Sequence, residues 1–223
     1  MNREVEVSSA DEKNAEERRA EQFLRDAYAL ETQADTQAFY ERWAEEYDAQ
    51  LQRGLHYLAP REVAETLAGR LGVTEAPILD VGCGTGLTGA CLRELGFTTI
   101  DGLDFSRAML AKAGQKMIYR RLIEADLHAA LPIDDAAYAA LVSSGTFTLG
   151  HVGPEPLDGL LRVLEPGGLL VCTVHEKVWD SQGFAAKFDA LEGAGSIRTV
   201  EQRSGCFFAG AEAVARYCVY AKC

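Results

Sequence analysis

Asp80-Val81-Gly82-Cys83-Gly84-Thr85-Gly86 closes a short apolar run that begins at Ile78, and a helical pattern follows it. A glycine has no Cβ to hold a ligand off, so backbone can approach one closely. The unpaired amides of a helix start then point at whatever sits there. The order is G-x-G-x-G. The dinucleotide fingerprint G-x-G-x-x-G needs a glycine where this chain has Leu87. Asp104 ends the next apolar run, about 20 residues beyond Gly82, where nucleotide-binding α/β folds place an acid that accepts from ribose hydroxyls. Asp101 comes three residues earlier and fits a strand end less well. His151, in Gly150-His151-Val152-Gly153-Pro154, is a candidate proton acceptor for a substrate hydroxyl or amine. A histidine satisfied by loop backbone is the competing explanation.

These residues need a scaffold that alternates strands with helices. Strands are expected at 78–81, 98–103, 122–125, 139–144 and 169–175, with late strands at 197–202 and 214–221. Helices are expected at 87–95, 106–115, 156–164 and 181–191, with Ser106 as a cap and Pro166-Gly167 as a turn. Such a series implies a parallel sheet covered on both faces. Upstream, Phe39, Trp43, Tyr47 and Leu51 follow at steps of four, one stripe of a helix that Asp35 or Thr36 could cap. A second helix starts after Pro60, with Val63, Leu67 and Leu71 inward. Residues 1–35 are charged and poor in large apolar side chains, which reads as an exposed helical or disordered extension. Residues 36–223 then form the functional domain.

The 223 residues suffice for one α/β domain with a full core. A net charge of −12 argues against a phosphate-backbone partner. The densest basic cluster, Lys116 to Arg121, reads as a solvated strand entrance. No apolar run approaches the roughly 20 residues of a membrane span, and no apolar signal core opens the chain. None of the six cysteines forms a C-x-x-C pair, so buried cytoplasmic thiols are expected and no metal site.

The glycine stretch resembles the first motif of class I methyltransferases that use S-adenosylmethionine (SAM). Leu103-Asp104-Phe105-Ser106, Ala125-Asp126 and Leu164-Glu165-Pro166-Gly167-Gly168-Leu169 resemble the motifs that follow. The entry segment Phe39-Tyr40-Glu41-Arg42-Trp43-Ala44-Glu45-Glu46-Tyr47-Asp48 is similar to the helix before the first motif in small-molecule methyltransferases. With Tyr57-Leu58-Ala59-Pro60 it resembles more narrowly the methyltransferase-like family of the Williams–Beuren region and its bacterial relatives.

That resemblance implies a Rossmann-like, doubly wound, mostly parallel seven-stranded sheet with an N-terminal helical cap and an antiparallel last strand. It implies SAM as cofactor, held by Asp80, Gly82, Gly84 and Gly86, with Asp104 on the ribose. Asp126 would accept from the adenine amino group, and Leu127 would offer its amide to the ring. Phe105 packs on adenine or in the core. Ser143 or Ser144 forms a small polar floor under the methyl donor, or only bonds the strand end. Trp43 and its stripe act as lid, as core, or as both. The Asn- or Asp-Pro-Pro-aromatic tetrad of enzymes that methylate adenine or cytosine amines is missing from residues 141–147. The expected function is methyl transfer from SAM to a small-molecule acceptor, with His151 as the catalytic candidate. A SAM-binding partner protein without turnover and a macromolecule methyltransferase remain the alternatives.

Overall fold

The computed structural model describes residues 9–30, 33–43 and 47–223. Seven strands form one sheet in the order β3-β2-β1-β4-β5-β7-β6. They are β1 (Ile78–Val81), β2 (Ile100–Asp104), β3 (Arg121–Glu124), β4 (Tyr138–Phe147), β5 (Leu164–His175), β6 (Ile197–Gly205) and β7 (Ala215–Lys222). The first five run parallel, and β7 slots antiparallel between β5 and β6. Strand order reverses between β1 and β4, the switch point where ligands of doubly wound sheets collect.

Both faces are covered, which explains why the central strands are apolar on both sides. Leu79, Val81 and Leu141 join a core with Leu157, Leu160, Phe184 and Phe188. Their neighbours Ile78, Ala140 and Val142 point the other way, toward Val63, Leu67 and Leu92. The helices that supply these residues are α3 (Ala59–Ala68), α4 (Leu87–Glu94), α6 (Leu157–Val163) and α8 (Phe184–Gly193). Helix α5 (Arg107–Gln115) packs on β2 and β3 and is capped as expected, Ser106 Oγ accepting from the Met109 amide at 3.3 Å. Pro60 sits in the first turn of α3, and Leu71 lies beyond that helix's end.

The expected elements are present, with local differences. Pro166-Gly167 does not separate a helix from a strand: β5 already pairs at Leu164, and the Pro-Gly-Gly stretch is an irregularity inside it. The helix expected at 181–191 begins at Phe184 and is preceded by α7 (Glu176–Trp179), which His175 caps through Nδ1. Helix α2 (Gln33–Trp43) starts before Asp35 and Thr36, so neither caps it. A short π-helical segment (Ala49–Gly54) brings Leu51 back beside Phe39 and Trp43.

Helix α1 (Ser9–Tyr28) is not simply exposed. Ala20 and Ala27 are buried, and Phe23 stacks on Trp43 at 5.4 Å between ring centroids. Two small residues and one aromatic suffice to seat the helix, so the scarcity of apolar bulk in that segment gave little hint of docking. Residues 1–8 of the expected extension lie outside the described residues.

Candidate active site

Beyond β1 the chain turns through Gly82 and Gly84, both at positive φ (66° and 54°). A Cβ on Gly82 would meet Thr146 Oγ1 at 2.2 Å, whereas one on Gly84 would meet nothing within 4 Å. Gly84 therefore presents bare backbone to open space, and Gly82 is bare because β4 crowds it. Gly86 caps α4 and lies against the ring of Tyr119 rather than against a ligand space.

The open space is a cavity of about 500 Å³ at the carboxyl ends of the central strands. Asp104 forms part of its wall. One carboxylate oxygen accepts from the Gly84 amide at 2.8 Å and the other from the Ser106 amide at 2.9 Å. Burial raises the Asp104 carboxyl above its usual range, and these amides oppose that rise. Phe105, Asp126 and Leu127 also line the cavity. Asp126 accepts from the backbone amide and the ring Nδ1 of His128, at 2.9 and 3.1 Å.

His151 lies at the other wall. Its Nδ1 is 2.6 Å from the Leu149 carbonyl and its Nε2 is 2.7 Å from Tyr40 Oη. A carbonyl only accepts, so Nδ1 carries the proton and Nε2 receives the Tyr40 hydroxyl. Burial lowers the His151 pKa, the Leu149 bond opposing it, which favours the neutral ring. The loop that carries it packs on the end of α1: a Cβ on Gly150 would meet the Ala27 carbonyl at 3.2 Å and that of Leu30, just beyond the helix, at 2.7 Å.

Eight residues singled out by sequence reasoning therefore meet in one cavity: Gly82, Gly84, Asp104, Phe105, Asp126, Leu127, Ser144 and His151. Four do not reach it. Gly86 faces Tyr119. Ser143 is buried and donates to the Val81 carbonyl at 2.8 Å, leaving Ser144 as the serine on the surface of the site. Trp43 is core, its Nε1 donating to Gln50 at 2.7 Å, while Tyr40 and Tyr47 face the cavity. Asp80 lies beneath the loop. Tyr119 donates to its Oδ2 at 2.6 Å, and Oδ1 is buried with no hydrogen-bond partner among the described residues. Burial pushes this carboxyl up to about 7.

Asp101, the second candidate for the ribose, is engaged elsewhere. Arg120 and Arg121 each hold it through two nitrogens, at 2.7–3.0 Å, and Tyr138 donates at 2.7 Å. Burial pushes its pKa up, but the bonds from Arg120, Tyr138 and Arg121 outweigh that and leave it low. The basic cluster is thus an internal ion-pair network as well as a solvated surface. Lys116 joins it in kind, pairing at 2.7 Å with Asp48, which also accepts from Thr85 in the glycine turn.

Sequence reasoning missed Tyr40, Leu30, Met109 and Gln182 as cavity residues. Tyr40 was legible in principle: it neighbours the aromatic stripe, one position off its phase. The others carry no signal before the fold brings them together.

The sheet order, the glycine turn and the acid ending β2 define a Rossmann-like nucleotide-binding enzyme fold. A family model described as "Methyltransferase domain" matches residues 78–168. Human methyltransferase-like protein 27 is 35% identical over 178 residues, covering 77% of this chain and 72% of that protein. A malonyl-[acyl-carrier protein] O-methyltransferase of Serratia marcescens is 33% identical over 113 residues, but the match spans only 43% of its length. The methyltransferase of a Haloferax volcanii complex with the activator Trm112 superposes with a TM-score of 0.64 at 20% identity, covering 82% of this chain and 97% of that one. A TehB-like methyltransferase of Corynebacterium glutamicum gives 0.62 at 21% identity, covering 83% and 99%. The chain belongs to the class I SAM-dependent methyltransferases and is an enzyme of that class.

Proposed function

We propose that the chain transfers a methyl group from SAM to a small-molecule acceptor bound in the same cavity. The observation that carries this reading is the cavity itself. At about 500 Å³, with Leu30, Tyr40 and Tyr47 from the N-terminal segment in its wall, it suits a ligand-sized acceptor. The bare backbone at Gly84 and the buried carboxylate of Asp104 fit a nucleoside-bearing ligand.

In this reading Gly82 and Gly84 let the cofactor approach the loop, and Asp104 accepts from the ribose with lone pairs its two amide bonds leave over. Asp126 and the Leu127 amide take the adenine edge, and Phe105 its face. Asp80, Gly86, Ser143 and Trp43 support that site from behind. SAM supplies a methyl group on a sulfonium: an acceptor lone pair bonds to that carbon while the carbon–sulfur pair stays on sulfur. The protein's part is to align the two partners and exclude water, which is worth about 7–11 kcal/mol of barrier.

Residues 36–223 make up the methyltransferase domain in this reading, with α1 docked over it. Six free cysteines support a reducing, cytoplasmic setting. Among the described residues no helix is long and apolar enough to cross a membrane. The engagement of Arg120 and Arg121 with Asp101 supports a site without nucleic acid.

Calorimetry tests the reading. SAM and S-adenosylhomocysteine should bind in the micromolar range, about −8 kcal/mol, and NAD should not. Asp104→Ala should lose about 1.5–3 kcal/mol of SAM affinity and remain folded. Tight NAD binding without SAM binding would sink it.

A further inference from the structure

Helix α2 and the loop after β4 bring two protic side chains together in the cavity wall. Tyr40 Oη lies 2.7 Å from His151 Nε2, and the His151 Nδ1–H donates to the Leu149 carbonyl at 2.6 Å. The donor direction is fixed by that carbonyl, so the series runs from Tyr40 through the imidazole into loop backbone. His151 Nε2 therefore meets Tyr40 rather than pointing bare at a ligand.

We propose that Tyr40 is the catalytic residue that meets the methyl acceptor, that His151 acts through it, and that the acceptor is a phenol-type hydroxyl. The proposal rests on the methyltransferase reading of the cavity given above. In the proton step the acceptor O–H proton passes to Tyr40 Oη as the Tyr40 proton passes to His151 Nε2. The resulting imidazolium keeps its Nδ1–H bond to Leu149. The lone pair left on the acceptor oxygen is the one that takes the methyl group, and the positive charge that began on the sulfonium ends on His151.

Proton demand favours this acceptor. A phenol still holds its proton at neutral pH, so its oxygen needs a base before it can take the methyl group, and the Tyr40–His151 series supplies one. A carboxylate acceptor is already ionised and needs no such series. It would also enter a cavity whose described lining contains Asp104 and Asp126 and neither Lys nor Arg. An unpaired charge brought out of water there is costly. Tyr40, Tyr47, Leu30 and Val152 offer an aromatic ring packing surface. The other titratable groups around the pair's cavity are Tyr47, Asp104, Asp126 and His128.

Nitrogen-15 NMR of the imidazoles reads the donor direction without any acceptor, with His151→Asn assigning the resonance. The expected state is a neutral ring protonated on Nδ1, whose Nε2 signal shifts in Tyr40→Phe. A ring protonated on Nε2 overturns the pairing. Turnover is then measured with SAM and three matched probes: p-cresol, 4-methylbenzoate and 4-methylbenzylamine. The expected result is methylation of p-cresol, lowered about 10²–10⁴-fold in Tyr40→Phe with SAM affinity unchanged. The wild-type rate should rise with pH through the titration of His151, and His151→Gln should lose that limb. Failure to methylate p-cresol, or preference for the benzoate or the amine, overturns the acceptor class. Loss of SAM binding by the wild-type protein would instead overturn the reading of the cavity.

Discussion

The two walls of the cavity are built by different means. On the side of β1, β2 and β3, backbone does the work: the Gly84 amide, the Ser106 amide and the open face of the glycine turn surround one carboxylate. On the side of α1, α2 and the loop after β4, side chains do it: Tyr40, Tyr47, Leu30 and His151. A backbone wall constrains sequence tightly, because few residue types tolerate positive φ and close approach. A side-chain wall constrains it loosely, because many side chains fill one volume. The backbone wall is therefore the more legible of the two in a sequence, and the side-chain wall the freer to vary.

Trp43 separates the walls most sharply. It is 3% exposed, stacks on Phe23 and donates to Gln50, so Trp43→Ala should cost about 3–5 kcal/mol of stability, read as a fall in Tm. SAM affinity of the folded fraction should stay close to wild type. An intact Tm with weakened SAM binding would make Trp43 part of the donor site and erase the distinction.

A smaller effect belongs to Asp80, below the backbone wall. Its folded pKa of about 7 lies above the ordinary 3.8 because burial disfavours the charge. The folded protein thus keeps a proton that the unfolded chain releases. The stabilisation is fully present below about pH 3.8, declines as pH rises, and is lost above about pH 7. Denaturant melts from pH 4 to 8 should show a decline of a few kcal/mol that Asp80→Asn flattens. An unchanged slope in that variant would place the titration elsewhere.

Asp126 should give the smallest change. It is 39% exposed at the side chain and already holds His128, so Asp126→Ala should weaken SAM binding by about 1 kcal/mol or less. A larger loss by calorimetry would show that the Asp126 end of the cavity contributes to SAM binding as much as the Asp104 end.

Legibility followed the same division. The strands, the glycine turn, Asp104 and the Ser106 cap were readable because each rests on local chemistry: an apolar run, a missing Cβ, a hydroxyl at a helix start. Ser143 and Ser144 were not separable, since a strand end alternates faces and a one-residue difference decides which side chain meets the cavity. For Trp43 the sequence left lid and core both open, and only the packed chain shows it in the core while Tyr40 and Tyr47 line the cavity. The docking of α1 rests on Ala27 and on Phe23, a small residue and a lone aromatic that give little hydrophobic signal among charged neighbours. Asp101 could be assigned only once β2 and β3 were aligned in register, with Arg121 directly beside it.

The ring of Tyr119 has a consequence for how this corner can drift in sequence. A Cβ on Gly86, Gly89 or Gly102 would come within 3.0, 2.5 and 3.1 Å of that ring, respectively. The same residue's hydroxyl holds Asp80. Any side chain gained at Gly89 demands a smaller residue at Tyr119, and a smaller residue there leaves the Asp80 carboxylate without its donor. The three glycines and Tyr119 are therefore sterically coupled: a side chain at any of them displaces the ring whose hydroxyl holds Asp80.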